Sequence, residues 1–413
     1  MPGFERREGR LLCDGASLEE AAQRFGTPLY VYSRAEIENA YRDYDQAFTA
    51  VPHRICYALK ANSSGAILRL LADLGAGADI VSGGELLAAL RAGFAAERIV
   101  YSGVGKTEAE IAVGVAKGIG EFNAESEHEI RQIDRAAVAA GRRVRVTLRV
   151  NPDIDPKSHP YISTGLRENK FGVDIALAPE ILHRASALPG IAVTGLQCHI
   201  GSQMVDLDPV EEAVRELAAL SRRLLAEGLP LQSLDIGGGL GVDYDGAGAP
   251  DPQALAARVL PLLGGLGLTL LVEPGRSIVA RAGGLLTRVL HLKDNRGKRF
   301  VIVDAGMNDL VRPSLYEAHH RVEPVLERPG PEQRVDVVGP VCETGDFLAQ
   351  DRELPPVEVG DLLLVRDAGA YGFAMSSNYN LRPRAAEVLV EDGGIRLIRR
   401  RETFEDLVRT EVG

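Results

Sequence analysis

Between about residue 55 and residue 277 the sequence alternates short, β-branched apolar runs with Ala/Leu-rich segments of helical period. The apolar runs are ICYALKAN, GADIVSG, RIVYSG, IGEFNAES, RVRVTLRVN, IAVTGLQCHIGS, SLDIGGGL and LTLLVEPGRS, eight in all. Such alternation marks repeated βα units. Eight units within roughly 250 residues suit a closed (β/α)8 TIM barrel, whereas an open doubly wound sheet more often stops earlier. The intervening segments, such as SGAILRLLADLG, GELLAALRAG and DPVEEAVRELAALSRRLLAEG, carry Leu and Ala three and four residues apart. One side of each is therefore expected to pack on the barrel.

A chain of 413 residues exceeds the usual size of one core, and a second domain is expected. The texture changes near residue 280, where LLTRVLHLKDN, KRFVIVDAG, RVDVVGPVCETG, DLLLVRDAG and AAEVLVEDGGIRLIRR follow one another as strands with few helices. The expected division is a barrel over 34–280 and an antiparallel β-rich domain built from 281–413 with 1–33. TPLYVYS near residue 30 joins the second domain because it is surplus to an eight-stranded barrel. The longest interruption, PDIDPKSHPYISTGLRENKFG, reads as a loop facing the substrate.

Composition removes several classes of function. The formal charge of −11, with no basic run, argues against a nucleic-acid surface, while a small anionic ligand held by local groups stays open. Cys13, Cys56, Cys198 and Cys342 are scattered and form no C-x-x-C pair, so neither a metal site nor a disulfide framework is expected. That usage fits a reducing cytoplasm. The opening MPGFERREGRLLCDG lacks the apolar core of a signal peptide, and no apolar run is long enough to span a bilayer.

Chemistry in such barrels gathers at the C-terminal ends of the strands. Lys60 ends the first run, Asp79 lies in the second, His199 ends the sixth, Gly237 to Gly239 end the seventh, and Glu273 with Arg276 ends the eighth. Each has a structural explanation when taken alone: a solvated lysine, a helix cap, a core histidine, a tight turn. Together they are the parts for holding a phosphorylated cofactor that carries an aldehyde. A lysine amine of lowered pKa can form a Schiff base. Glycine turns at DIGGGLG and EPGRS let backbone N–H groups approach a phosphate, and Ser202 adds a hydroxyl. Glu273 would hydrogen-bond a pyridine nitrogen and keep it protonated, and the flat His199 ring could stack on it.

The β-rich part carries GPVCETGD and DAGAYGFAMSSNYN. A cysteine in so polar a turn is placed to give up a proton, although a buried thiol is the commoner fate. Glu343 could receive an ammonium group, and Arg312 and Arg276 could grip a carboxylate bidentately, with surface ion pairs as the competing reading. Tyr316 and Tyr371 offer phenolic hydroxyls, or are packed aromatics.

Nine motifs in order, YALKAN, GADIVSGGEL, HPYISTGLRENKFG, HIGSQ, DIGGGLGVDY, EPGRS, DAGMNDLVRPSLY, CETGD and GAYGFAMSSNYN, span nearly the whole chain. In these the chain resembles the diaminopimelate decarboxylases, fold-type III pyridoxal-phosphate enzymes that make lysine, with an alanine racemase-like pairing of barrel and β-domain. The resemblance implies pyridoxal 5'-phosphate as cofactor and Lys60 as the Schiff-base lysine, with Asp79 and Glu85 close by. It implies His199 stacked on the ring, Glu273 at the ring nitrogen, and Ser202, Gly238, Gly239, Gly275, Arg276 and Tyr371 serving the phosphate. Arg276, Arg312, Tyr316, Glu343 and Tyr371 would contact meso-diaminopimelate, and Cys342 would be the proton donor. It also implies a homodimer in which the cysteine and its neighbouring acid reach the partner's active site.

Charge at the far end of the substrate separates the nearest rivals, decarboxylases of ornithine, arginine or a carboxylated polyamine on the same scaffold. Ornithine and arginine end in a cation alone, whereas diaminopimelate ends in an ammonium and a carboxylate, which suits Glu343 beside Arg276 and Arg312. A non-catalytic relative would not need both Lys60 and Cys342. A racemase would need a second base, and none stands out.

Overall fold

A computed structural model of the chain describes residues 3–155, 164 and 169–412. Contacts divide it into two compact units: one holds the chain up to Ala40, Asp243–Gly248 and everything from Ile278 onward; the other holds Tyr41–Val242 and Ala249–Ser277.

The second of these is the barrel. Its strands are β1 (His53–Ala58), β2 (Gly77–Ile80), β3 (Ile99–Tyr101), β4 (Glu121–Ala124), β5 (Val144–Asn151), β6 (Ile191–Gln197), β7 (Ser233–Asp235) and β8 (Thr269–Val272). Each pairs in parallel with the next, and β8 pairs with β1, so the sheet closes on itself. All eight apolar runs are therefore barrel strands. Closure leaves no sheet edge exposed.

The helices show the expected one-sided burial. In Gly65–Asp73 the buried residues are Ile67, Leu68, Leu70 and Leu71. In Asp208–Ala226 they recur at Val210, Ala213, Val214, Leu217, Leu220 and Leu224, the spacing that faces one side of a helix. Capping sets where helices begin and end. Ser82 accepts a hydrogen bond from the Glu85 N–H to start Gly83–Ala92, and Gly93, left-handed, ends it. The Ser82 cap fixes where the first turn of that helix, and Glu85 with it, begins after β2.

The other unit is β-rich. Leu29–Ser33 pairs antiparallel with the start of Gly283–Asn295 and parallel with Ala386–Glu391. TPLYVYS thus pairs within this sheet. Gly283–Asn295 continues antiparallel to Lys298–Val303 and to Leu362–Val365. Most pairings are antiparallel, but Lys298–Val303 runs parallel to Gln333–Val338. Strands Phe4–Arg7, Arg10–Cys13 and Phe347–Leu354 add to those anticipated. Leu11, Leu18, Leu29, Val31, Leu286, Leu364, Val388 and Val390 form its buried core. Most of the anticipated substrate-facing loop between β5 and β6, and so most of the HPYISTGLRENKFG motif, lies outside the described residues.

Candidate active site

The barrel unit gathers its polar residues at one end of the sheet. β1 stops at Ala58, and Lys60 follows in a single turn of 3-10 helix, Leu59–Ala61. Its Nζ lies 3.0 Å from Asp79 Oδ2; the lysine side chain is 37% exposed and the aspartate fully buried. Lys60 is thus neither solvated nor sealed in: its stem is held and its amine is accessible. The second Asp79 oxygen, Oδ1, is buried without a hydrogen-bond partner among the described residues. Glu85, in the first turn of its helix, accepts from the Val81 N–H at 2.7 Å. Burial, with Asp79 adding, pushes its carboxyl up to about 7, against the pull of Lys60.

Glu273 directly follows β8 and is 6% exposed. Its oxygens are met by two amides: Asn123 Nδ2 donates to Oε1 at 3.2 Å and Gln197 Nε2 to Oε2 at 3.1 Å. Asn123 Nδ2 also lies 3.4 Å from Asp235 Oδ2, so one amide touches two carboxyl groups. Burial and then the neighbouring Asp235 push Glu273 well above the ordinary carboxylate range. Asp235 is itself pushed up to about 7, chiefly by burial. Two buried carboxyls so close cannot both ionise cheaply, and the pair holds a proton into the neutral range.

The glycine turns are packed against their own backbone. A Cβ on Gly238 would fall 2.0 Å from the Glu273 carbonyl oxygen, and one on Gly239, whose φ is +102°, would fall 2.1 Å from that of Gly201. Only glycine fits at either position. Gly275 is looser, with Ala61 Cβ at 3.0 Å. His199 Nδ1 accepts from the Gly238 N–H at 3.3 Å. Burial, with Lys60 and Arg149, drives the imidazole well below its usual pKa, so the ring is neutral. Ser202 Oγ accepts from Arg276 Nη2 at 3.0 Å, which ties the end of β6 to the turn after β8.

The residues expected in the β-rich unit sit on turns. Arg312 opens the short helix Arg312–Tyr316 and is 5% exposed, while Tyr316 and Tyr371 are half-buried. Tyr371 adopts a left-handed φ of +56°. Cys342 and Glu343 are exposed. Their turn is held from below: Asp346 accepts from the N–H groups of Val341 and Met307 at 2.6 Å each, and Asn380 Oδ1 accepts from the Cys342 N–H at 3.0 Å.

The expected site residues thus fall into two sets, Lys60, Asp79, Glu85, His199, Ser202, Gly238, Gly239, Glu273, Gly275 and Arg276 in the barrel, and Arg312, Tyr316, Cys342, Glu343 and Tyr371 in the β-rich unit. Asn123, Gln197 and Asp235 escaped the sequence reading. Their signal was available: an amide in EFNA, one in GLQ and an acid in SLDIGGG each interrupt an apolar strand.

The barrel set fits pyridoxal phosphate. It offers an accessible amine, a neutral flat ring, a buried acid, bare glycine turns beside an arginine and a serine, and buried acceptor atoms at Asp79 Oδ1 and Gln197 Oε1 without partners among the described residues. The sequence model of the family described as "Pyridoxal-dependent decarboxylase, pyridoxal binding domain" matches residues 34–280. The chain is 51% identical over 408 residues to the diaminopimelate decarboxylase of Aquifex aeolicus, covering 98% of this chain and 97% of that one. Its fold matches the crystal structure of the Helicobacter pylori diaminopimelate decarboxylase complexed with L-lysine, with a TM-score of 0.92, 46% identity, and 95% and 98% of the two chains covered. The diaminopimelate decarboxylase from M. jannaschii in co-complex with L-lysine gives a TM-score of 0.95 at 40% identity, covering 100% of this chain and 98% of that one. The chain belongs to the diaminopimelate decarboxylase family of pyridoxal-dependent decarboxylases.

Proposed function

We infer that the chain converts meso-2,6-diaminopimelate to L-lysine and carbon dioxide with pyridoxal 5'-phosphate as cofactor. The observation that carries this reading is the pairing of Lys60, just after β1, with the buried Asp79 of β2, while Glu273, just after the neighbouring β8, is held between two amides. When bound, the cofactor supplies an electron sink for the pair left on the α-carbon as the carboxylate departs.

Lys60 would hold the cofactor covalently through Nζ, and Asp79 keeps that amine oriented. Glu273 would hold a proton at the ring nitrogen; a ring N–H+ set against it would draw its raised pKa back down. Asn123 and Gln197 leave its carboxyl plane a single orientation. His199, neutral, would lie against the ring without adding a competing charge. Ser202, Gly238, Gly239, Gly275, Arg276 and Tyr371 would hold the phosphate.

Arg312 and Arg276 would grip substrate carboxylate, Glu343 the distal ammonium, and Tyr316 and Tyr371 would complete the contacts. The bond between the α-carbon and its carboxylate breaks, carbon dioxide leaves, and a proton from Cys342 Sγ takes its place. The exposure of Cys342 and Glu343 supports a homodimer in which these two residues serve the partner's site. Three buried free cysteines, Cys13, Cys56 and Cys198, support a cytoplasmic setting, and among the described residues no helix is long and apolar enough to cross a membrane.

Release of carbon dioxide from meso-diaminopimelate, with ornithine and arginine alongside, tests the reading. Lysine formed from diaminopimelate alone is the expected result. Turnover of ornithine or arginine instead would overturn the assignments of Arg276, Arg312 and Glu343.

A further inference from the structure

Arg312 does not stand on its helix unsupported. A guanidinium has donors and no acceptor, so its Nη1, 2.9 Å from His320 Nε2, gives a hydrogen to a ring lone pair. The other ring nitrogen, Nδ1, lies 2.8 Å from the Arg366 carbonyl oxygen, which can only accept. Nδ1 therefore carries the ring's one hydrogen. Two neighbours thus fix both tautomer and charge: His320 is neutral, and it is 0% exposed.

Tyr244 bounds the same guanidinium on another side. Its ring lies 4.7 Å from the Arg312 carbon Cζ and meets the His320 ring edge-on, with centroids 5.3 Å apart. Its carbonyl oxygen is 3.0 Å from His319 Nδ1, so the Asp243–Gly248 segment is pinned to the turn that carries His320. A flat fork recognises a carboxylate only when its plane is held to within about 10–20°. A hydrogen bond at Nη1 and an aromatic ring over Cζ both constrain that plane.

We propose that His320, with Tyr244 beneath, is a positioning residue for substrate specificity: it holds the Arg312 guanidinium in the plane that meets the carboxylate at the distal end of diaminopimelate. The proposal rests on the clamp role given to Arg312 above. Decarboxylation leaves the distal α-amino and α-carboxylate groups intact in L-lysine, so the product reports on the same clamp.

The test uses the cofactor-loaded enzyme and two readouts, steady-state kinetics with meso-diaminopimelate and calorimetric binding of L-lysine, for His320→Leu, His320→Gln, Tyr244→Leu, Arg312→Ala and the His320→Leu/Arg312→Ala double variant. His320→Leu is expected to raise KM and weaken lysine binding about tenfold, the loss of one hydrogen bond to a charged group, with kcat much less changed. His320→Gln, whose amide can accept from Arg312 and donate to the Arg366 carbonyl, should recover most of that loss. Adding His320→Leu to Arg312→Ala should change nothing further. Tyr244 is half-buried, so Tyr244→Leu keeps the question answerable should His320→Leu not fold, and a severalfold rise in KM is expected.

If Arg312→Ala raises KM while His320→Leu and Tyr244→Leu do not, the positioning role is wrong and the clamp stands. Additive effects in the double variant would likewise overturn it. An unchanged KM in Arg312→Ala would remove the clamp and the proposal together.

Discussion

The barrel mouth and the turns of the β-rich unit hold the candidate site residues by different means. In the barrel, Lys60, Asp79, Asn123, Gln197, Asp235 and Glu273 sit in or just beyond strands whose register is set by a closed sheet, and they hydrogen-bond across it from strand to strand. In the other unit, Cys342 and Glu343 ride on one short turn whose shape comes from Asp346 and Asn380. Sheet register places groups to a fraction of an ångström and buries them, so their charges are strongly coupled. A turn braced by a few side chains presents its groups outward. The first arrangement suits holding a cofactor, the second suits delivering a proton.

The contrast can be broken most directly at Lys60. Lys60→Ala should cut turnover by roughly a thousandfold or more and also remove the absorbance of covalently bound cofactor. Loss of turnover with that absorbance intact would show that Lys60 is not the anchor. Cys342→Ala should lower kcat about a hundredfold or more, the usual scale for a lost general acid, with the cofactor spectrum unchanged. A spectrum that shifts as much as in the lysine variant would dissolve the distinction between the two regions.

Smaller effects sharpen it. Gly239→Ala forces a Cβ to 2.1 Å from the Gly201 carbonyl at a φ of +102°, so thermal unfolding should reveal a loss of about 1–3 kcal/mol together with weaker cofactor retention. An unchanged midpoint would mean that the turn yields, and that sheet register is less rigid than argued.

The smallest effect concerns pH. Asp235 has its pKa raised from the ordinary 3.8 to about 7, mainly by burial, so across that window the folded chain binds more protons than the unfolded one. Its contribution therefore makes stability fall as pH rises from about 4 to about 7. Asp235→Asn removes this titration, and calorimetry should find a shallower decline in midpoint over that range. An equal decline in both proteins would argue against the coupled pair.

Much of this was legible beforehand. Eight apolar runs became eight barrel strands because alternation between β and helical periods is a local property, and closure adds only that the last strand meets the first. Lys60, His199, Glu273 and the glycines were legible because each interrupts an apolar run at its C-terminal end. Asn123, Gln197 and Asp235 also interrupt their runs, but such a residue reads equally well as one on the outward face of a strand. Only the closed barrel turns those positions toward one another. Tyr244 lies 75 residues before His319, the neighbour of His320, and no pattern in either stretch joins them.

By itself, then, the sequence determined the eight barrel strands, the change of texture near residue 280 and which residue types gather at strand ends, since all three follow from local periodicity and composition, whereas strands such as Phe4–Arg7 and Phe347–Leu354 appeared only in the structure. The tertiary structure decided ionisation and orientation: that Glu273 shares its surroundings with Asp235, that His199 and His320 are neutral, and that Arg312 is held in one plane. Those properties arise from burial and from partners distant along the chain. Neither is present until the sheet has closed and the turns have packed.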